Sequence, residues 1–432
     1  MAVNAPNASH HHTAVGIKGA LLTKAQLAQP LVSIRQNNFE DGNEITTETD
    51  EGHTGVSNLD MGSYRTKAES SPSWEDGLRF EQGYEDYAYL LLAHDTITPN
   101  TTHSGVYGHV FAMPPNTEDE LPLATIYHGF SKTETDGRIF NNAMLNEYEI
   151  SFSADDKPTV KPTFVSDYNI VNTINPTRNF LSDHLAKTVM AQHTKVYVGD
   201  IDAETLEEMT EIACFKEGTL TVNNNAESQA CHDDAFGENT KLMGARELTG
   251  SITMPWTATT DENGVPTGTR YFETEYEAYH KYGHIVSENI TQKQVWFRTV
   301  GGSIVVTRDS STLATGETLL KTIVIDEGEE TETTVYLIDT GVPYESIHKV
   351  PVVEVTNVTS TKSGTDAKEL TFEFKGIEQP DKSYLTIEMT TGLSACHIDT
   401  SGVSRSSFYP TDSNTSLSAA AYAASFEPYA SQ

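Results

Sequence analysis

The chain has 432 residues, 37% of them hydrophobic, and its 62 acidic and 28 basic side chains give a formal net charge of −34. A chain this acidic is not expected to bind nucleic acid tightly or to dock on an anionic membrane, because both need clustered Lys and Arg. The charge favours a surface that stays hydrated in concentrated salt, so we infer a saline habitat. Three cysteines are too few for a disulfide framework. Without a signal-peptide pattern or a run of ~18 apolar residues, we expect a soluble protein made in a cytoplasm.

The first residues are small and polar. Residues 1–35 are predicted to form an N-terminal arm that orders only on contact with another molecule, with a short helix near residues 21–29. Residues 36–75 are rich in Thr, Glu, Asp and Gly, which predicts a long loop of the kind that serves an interface. A helix is predicted over residues 84–93, because acidic residues in a first turn suit the helix dipole.

The sequence after this helix is overwhelmingly β, since runs rich in Val, Ile, Thr and aromatic residues are typical of strands. A second helix is predicted over residues 273–282, and residues 203–213 fit either a helix or a loop. A hairpin of long strands plus a helix occurs twice, which predicts a core over residues 36–300 with two similar β units, at about 75–170 and 195–300. The predicted strands lie at 106–114, 121–130, 145–154, 158–168, 195–200, 218–225 and 248–256.

The remaining residues divide into three regions. Residues 301–345 are predicted to be an added β-ribbon with the acidic tip DEGEETE (326–332). Residues 346–395 are predicted to supply strands that complete the core, and residues 396–432, rich in Ala and Ser, a C-terminal arm. The strands expected here lie at 303–307, 319–326, 333–339, 350–358, 368–377 and 383–389.

Four of the predicted strands share an unusual outward face. In GTLTVNNN (218–225), alternation puts Leu220 and Val222 on one side and small neutral groups on the other. Long charged groups would normally cover such a face, yet the outward faces of the four strands carry one lysine, Lys161, and no aromatic residue. Because Thr favours strands anyway, an ordinary solvated sheet face remains an open interpretation. The outward residues are Glu147, Glu149, Ser151, Ser153, Thr159, Thr163, Thr219, Thr221, Asn223, Thr249, Ser251 and Thr253.

A sharper interpretation is a surface along which an anionic polymer slides without sticking. Such a surface needs short neutral or acidic side chains, because cations and aromatic platforms hold nucleic acid. A channel also needs a closed sheet, since open strand edges aggregate. One subunit with four long strands cannot close a wide barrel, whereas a symmetric ring of identical chains can.

The order of several segments resembles the major tail tube proteins of long-tailed viruses. The resemblance covers roughly residues 75–300 and reappears from VPVVEVTNV to ELTFEF. It implies a mainly β fold, a β-sandwich or partial-barrel subunit with one or two flanking helices that closes into a shared β-barrel in a hexameric ring. The ribbon at 303–339 departs from the simplest members, and we expect an outward decoration. The segments are YGHVFAMP, LPLATIYHGFSKTE, FNNAMLNEYEISFSADDKPTVKPTF, GTLTVNNN and GARELTGSITM.

The resemblance also sets the functional expectations. It implies a structural virion protein, not an enzyme, whose stacked rings form the conduit for viral DNA, with the twelve outward residues facing the lumen. The expected partners are further copies of the chain, the tape measure protein, the tail terminator or tail tip proteins, and viral DNA that passes without specific binding; no membrane is expected. Assembly would take place in the host cytoplasm. The charge of −34 suggests a tailed, siphovirus-like virus of a halophilic host, an archaeon among the candidates.

Residue types that suit metals or catalysis occur, but without supporting partners in the sequence. The run His10-His11-His12 and the run CHDD (231–234) contain metal ligands, yet neither has a second cluster at finger-like spacing. Cys396 and His397 are neighbours without an identifiable third group. Glu147 and Glu149 could mimic a glycosidase pair, but no sugar-stacking aromatics accompany them. We therefore expect no catalytic residue, no cofactor and no metal.

Two alternatives of other classes remain open. A virion surface, decoration or adhesin protein with a β-sandwich would also use Thr-rich strands and an acidic ribbon. An extracellular β-class hydrolase would need a cleft of converging titratable groups. Self-assembly into tubes of uniform width distinguishes the tube protein from both.

Overall fold

The computed structural model describes a mainly β protein. Among the described residues, no helix is long and apolar enough to cross a membrane. The described residues are 12–17, 31–34, 37–49, 63–81, 83–113, 121–129, 137–168, 170–172, 178–180, 189, 193–212, 215–229, 240–255, 259–260, 266–267, 293–325, 333–361, 369–378 and 382–394.

These residues form 27 strands and one α-helix, α1 (Tyr84–Leu92), which lies between the sixth and seventh strands. In chain order the strands are β1 (His12–Ile17), β2 (Leu31–Ile34), β3 (Asn37–Glu40), β4 (Glu44–Thr49), β5 (Ser63–Ser70), β6 (Ser73–Gly77), β7 (Asp95–Pro99), β8 (Tyr107–Ala112), β9 (Ala124–Gly129), β10 (Gly137–Ser153), β11 (Thr159–Asp167), β12 (Ile170–Asn172), β13 (Arg178–Phe180), β14 (Thr194–Gly199), β15 (Thr210–Glu211), β16 (Glu217–Asn223), β17 (Glu227–Gln229), β18 (Thr240–Leu242), β19 (Glu247–Pro255), β20 (Thr259–Thr260), β21 (Pro266–Thr267), β22 (Gln294–Arg308), β23 (Thr318–Ile325), β24 (Thr333–Val350), β25 (Val353–Thr361), β26 (Glu369–Gly376) and β27 (Thr386–Thr391).

Two large sheets account for most of these strands. The first sheet runs in the order β13-β2-β1-β9-β10-β16-β19-β26-β25, and β11 pairs with β10 and continues to β5 and β6. The second sheet runs in the order β15-β14-β22-β24-β27-β8-β7, with β23 paired to β24. Neighbouring strands of the second sheet are antiparallel, as are those from β1 to β25 of the first.

The inner faces of the two sheets pack against each other in one hydrophobic core. Phe152 of β10 stacks on Phe297 of β22 with ring centroids 5.0 Å apart, and Phe297 in turn lies 6.4 Å from Phe374 of β26. Each such ring contributes about 2 kcal/mol of stabilisation by leaving water. The arrangement is a β-sandwich, because each sheet hides one side of its alternating strands against the other.

Helix α1 is buried on almost every side. Leu90, Leu91 and Leu92 are fully buried, and the helix contacts β8 and β10. Tyr87 accepts a hydrogen bond of 2.9 Å from the indole Nε1 of Trp74, which fixes the helix to β6. The helix ends at Leu92 and is capped by Ala93, which has a left-handed backbone and whose N–H donates to the carbonyl of Tyr89.

The two β units predicted from the sequence are joined directly in the structure. The register of β10 against β16, from Glu147 opposite Asn223 to Ser153 opposite Glu217, hydrogen-bonds the first unit to the second. Both units contribute to the same hydrophobic core. They are therefore halves of one packed structure.

The strands predicted after α1 are all present, and several are longer than expected. The predicted segment 145–154 is the second half of β10, and the ribbon strands continue into the sandwich as the long strands β22 and β24. Residues 203–213 contain a short 3₁₀ turn over Leu206–Glu208 followed by β15. The helices predicted at 21–29 and 273–282 lie outside the described residues.

Two expectations about the start of the chain were wrong. Residues 36–75 contain β3, β4, β5 and β6, of which β4 and β5 form a hairpin. Thr-rich segments such as EITTET have no apolar side, so their strand character was not visible in the hydrophobic pattern. The N-terminal arm was expected to order only on contact with another molecule. Instead β1 pairs with β9 and β2 within the subunit, and Val15 is buried.

Candidate functional site

The twelve outward residues predicted from the sequence lie on one face of the first sheet. Their strands are neighbours in the order β11-β10-β16-β19. Because antiparallel strands pair residue by residue and side chains alternate, outward residues of one strand meet outward residues of the next. We call the outward side of β11, β10, β16, β19 and β26 the hydroxyl face.

Short side chains cross the hydroxyl face in rows. Ser151 lies opposite Thr219, and Thr219 lies opposite Ser251, with 2.9 Å between the hydroxyl oxygens of Thr219 and Ser251. In the adjacent row Glu149 lies opposite Thr221, which lies opposite Thr249. Some of the hydroxyls therefore bond to each other, and the surface between the carboxylates consists of short, neutral side chains.

The inward residues of the same strands hold this surface in place. Tyr148, Ile150, Leu220 and Val222 are fully buried. A register slip of one residue in β10 or β16 would exchange these apolar groups with the polar ones, so the hydroxyl face is fixed by the core behind it.

The twelve residues differ in how much of the face they expose. Thr249 is exposed and most of the others are half-buried within one subunit. Thr253 is only 5% exposed, and its hydroxyl lies 2.9 Å from that of Thr371 on β26. Thr253 thus contributes a hydrogen bond between strands more than it contributes surface.

Strand β26 extends the face beyond the residues singled out from the sequence. Its outward residues Thr371, Glu373 and Lys375 lie opposite Thr253, Ser251 and Thr249. The alternation in KELTFEFKG predicted the strand, but its place beside β19 depends on pairing across more than a hundred residues, which no local pattern reveals.

The hydroxyl face carries an excess of negative charge. Lys161 lies opposite Glu149, and Lys375 forms an ion pair of 2.7 Å with Glu354 of β25. Glu369 accepts a hydrogen bond from Lys216 and raises the pKa of that lysine. Over residues 147–153, 159–163, 217–223, 247–255 and 369–375 of these strands, the charged outward residues are Lys161 and Lys375 against Glu147, Glu149, Glu217, Glu247, Glu369 and Glu373.

Strand β25 is the last strand of the first sheet among the described residues, where it pairs with β26. It lies one strand beyond the hydroxyl face.

The other residues considered for chemistry do not form a site in the described part of the chain. No group of three or more His, Cys, Asp or Glu side chains there could hold a metal ion. Glu149 accepts a hydrogen bond of 3.3 Å from Ser151 on the open sheet face. His10, His11, the CHDD run at 231–234 and the pair Cys396 and His397 lie outside the described residues.

Comparison with known proteins found a matching family and a similar solved structure. The family model described as "Phage tail tube protein" matches residues 34–278, more than half of the chain. Among solved structures, the SPP1 tail tube, determined by solid-state NMR and cryo EM, is similar at 12% identity and a TM-score of 0.23, over 53% of this chain and 98% of that one. No curated protein matches the chain. The chain therefore belongs to the phage tail tube protein family, as a structural and non-enzymatic protein of the virion tail.

Proposed function

We propose that six copies of the chain close their first sheets into one barrel, and that the hydroxyl face lines the lumen through which viral DNA passes. The observation that carries the proposal is the composition of this face: hydroxyls in register, six glutamates, two lysines and no aromatic side chain on five adjacent strands. Such a surface offers DNA neither counter-charge nor a stacking platform. At a net charge of −34 each, six copies bring about −200 charges to a ring, which repels the passing polymer.

The place of β25 at the end of the first sheet's described strands supports closure between subunits. A strand of a neighbouring subunit that pairs there would continue the sheet from one copy to the next. Closed rotational symmetry gives every copy such a neighbour. The lumen-facing residues proposed are the twelve predicted from the sequence together with Thr371, Glu373 and Lys375.

A lysine placed on the hydroxyl face tests the proposal. Thr221→Lys adds six cations to each ring in the lumen, so we expect tubes that retain added DNA and virions that eject it more slowly, both effects weakening as salt rises. The matched control is Thr96→Lys, an exposed position on β7 of the second sheet. Equal DNA retention by the two variants would count against the lumen assignment, as would a density map that places Thr221 on the outer wall.

We further propose that the β4–β5 hairpin contacts the next ring in the stack. The hairpin joins the sheet where Ser70 and Glu69 pair with Ser166 and Asp167 of β11. Deleting residues 45–67 removes the hairpin but keeps the buried Ala68 and Ser70. We expect soluble subunits that fail to polymerise; tubes of normal length from this variant would refute the assignment.

The remaining assignments follow from tube assembly. The tape measure protein and the tail terminator or tip proteins would contact the tube inside and at its ends, after assembly in the host cytoplasm. The ribbon formed by β23 and the adjoining halves of β22 and β24 would decorate the outside. The acidity supports a halophilic host, which predicts tubes that are more stable in molar salt than in dilute buffer; tubes that dissociate as salt rises would contradict it.

A further inference from the structure

Three polar side chains, two of them buried, meet at the end of β11, beyond the hydroxyl rows. The carboxylate of Asp167, at the end of β11, accepts a hydrogen bond from Nζ of Lys241 at 2.7 Å through one oxygen. Its other oxygen accepts from Nδ2 of Asn142 at 2.5 Å. The side chains of Lys241 and Asp167 are only 1% and 5% exposed. One carboxylate thus holds an amine and a primary amide side by side.

This arrangement has the parts of an acyl-transfer reaction. The amine of Lys241 is a nucleophile once it loses a proton, and the side-chain carbonyl carbon of Asn142 is an acyl group. Asp167 contacts both nitrogens, so it can take a proton from the attacking amine and give one to the leaving nitrogen. Because the three groups are held in the fold, the reaction is intramolecular and gains the advantage of proximity.

We propose that Lys241 and Asn142 join in an isopeptide bond, with Asp167 as the catalytic acid and base. Asp167 takes a proton from the Lys241 ammonium, which leaves both groups neutral in a site where separated charges are poorly solvated. The bond from Nζ to Cγ of Asn142 then forms, and the bond from Cγ to Nδ2 breaks as Asp167 gives its proton to Nδ2, which leaves as ammonia. The carboxylate of Asp167 takes the second proton from Nζ, which becomes an amide nitrogen, and passes it to the ammonia. Ammonium leaves, Asp167 ends as a carboxylate, and no oxidant or other reactant is consumed.

The surroundings of Asn142 fit a reacting amide. Its backbone lies in the left-handed region, with φ 49°, where the pairing of β10 with β9 is interrupted between Phe140 and Ala143. Its Oδ1 is buried without a hydrogen-bond partner among the described residues. Rotation of the amide about the Cβ–Cγ bond would bring this oxygen to the protonated Asp167. A hydrogen bond from Asp167 would then polarise the carbonyl for attack.

The bond would fasten a long connection to the sheet. Lys241 lies on β18, which pairs with β17 in a small hairpin between β16 and β19. Its amine also lies 3.3 Å from the hydroxyl of Ser228 on β17. A covalent link to β10 would hold this hairpin against the first sheet when the tube is under load.

Mass spectrometry of the purified full-length chain tests the proposal. After digestion in denaturant, we expect the peptide containing Asn142 joined to the peptide containing Lys241, at a combined mass lower by about 17 Da, the mass of ammonia. Separate, unmodified peptides would overturn the proposal. A link from Lys241 to Asp167 with loss of water would overturn the assignment of Asn142 as acyl donor.

Two variants and a control identify the roles. Lys241→Arg keeps a cation beside Asp167 but removes the amine, and Asp167→Asn keeps the side-chain size but removes the base, so neither should lose ammonia. Lys195→Arg alters an exposed ion pair with Glu211 and should crosslink like the unchanged chain. Circular dichroism establishes that each variant is folded. Crosslinking in a folded Asp167→Asn variant would refute the role of Asp167.

Discussion

The two outward faces of the sandwich have the same strand alternation but very different side chains. On the first sheet, Ser151, Thr219 and Ser251 stand in one row, and none of them reaches far from the backbone. On the second sheet, Trp296 of β22 lies opposite Lys349 of β24, whose Nζ is 4.2 Å from the centre of the indole ring. The first face consists of short side chains of similar size, whereas the second consists of large side chains that contact one another.

The second face is also covered by a segment of the chain. Tyr197, Met209, Trp296 and Ile347 form a separate hydrophobic cluster, and Leu206 of the 3₁₀ turn packs on it. Lys349 bonds to Glu388 at 2.5 Å and Arg298 to Glu345 at 2.5 Å around this cluster. The difference teaches that an outward face is shaped by what it contacts: large side chains suit the segment packed on the second face, and short ones suit the passing molecule that we propose for the first.

The largest effect is expected from a substitution in the covered face of the second sheet. Trp296→Ala removes a ring that is 2% exposed, so we expect a loss of about 3–5 kcal/mol in the free energy of unfolding. The matched change on the hydroxyl face, Thr221→Val, should stay within about 0.5 kcal/mol. Denaturant unfolding of both variants measures the contrast, and similar losses at the two positions would contradict it.

The next effect concerns His348, which points from β24 into the core between the two faces. Burial lowers the pKa of His348 to about 3, and its ring lies 3.1 Å from the hydroxyl of Tyr84. Because the unfolded pKa is near 6.5, the stability that comes from a neutral His348 is complete above pH 6.5. It is lost as the pH falls from about 6.5 towards 3, and the total reaches several kcal/mol.

Replacing this histidine sharpens the prediction. His348→Gln removes the titrating group, so its unfolding free energy should vary less between pH 6.5 and 3 than that of the unchanged chain. The pKa of His109 is shifted in the opposite direction: burial alone would lower it, but the hydrogen bond to Asp95 helps to raise it. Its contribution is present below pH 6.5 and is lost as pH rises through the raised value. If the unfolding free energy of His348→Gln varied between pH 6.5 and 3 as much as that of the unchanged chain, the pH dependence could not be assigned to His348.

The smallest effect is expected at the rim of the covered face. Lys349→Met keeps the length of the side chain but removes the cation over Trp296 and the ion pair with Glu388, at a cost of about 1 kcal/mol. Thermal unfolding in low and high salt measures it. The difference from the unchanged chain should shrink in high salt, because ions screen a partly exposed pair. A loss as large as that of Trp296→Ala would mean that charge, rather than the aromatic ring, holds the covering segment.

Local patterns predicted the parts of the molecule that have one apolar side. The alternation around Leu220 and Val222 predicted both the strand β16 and the direction of its hydroxyls, and the acidic first turn predicted α1. Patterns of this kind report burial, so they failed for β4 and β5, whose sequences EITTET and SYRTKAES contain few apolar residues. They also could not reveal contacts between distant segments, such as Thr253 with Thr371 or Asp167 with Lys241, which depend on how the sheets are assembled.

The place of β25 at the end of the first sheet's described strands has a consequence for the timing of assembly. If a neighbouring subunit pairs there, any other extended strand competes for the same place until a correct neighbour arrives. Mutual repulsion between chains of charge −34 slows every encounter, correct or not, and dissolved ions relax that repulsion. The growth rate of tubes should therefore be set by ionic strength as much as by subunit concentration, with nucleation as the slow event in dilute buffer.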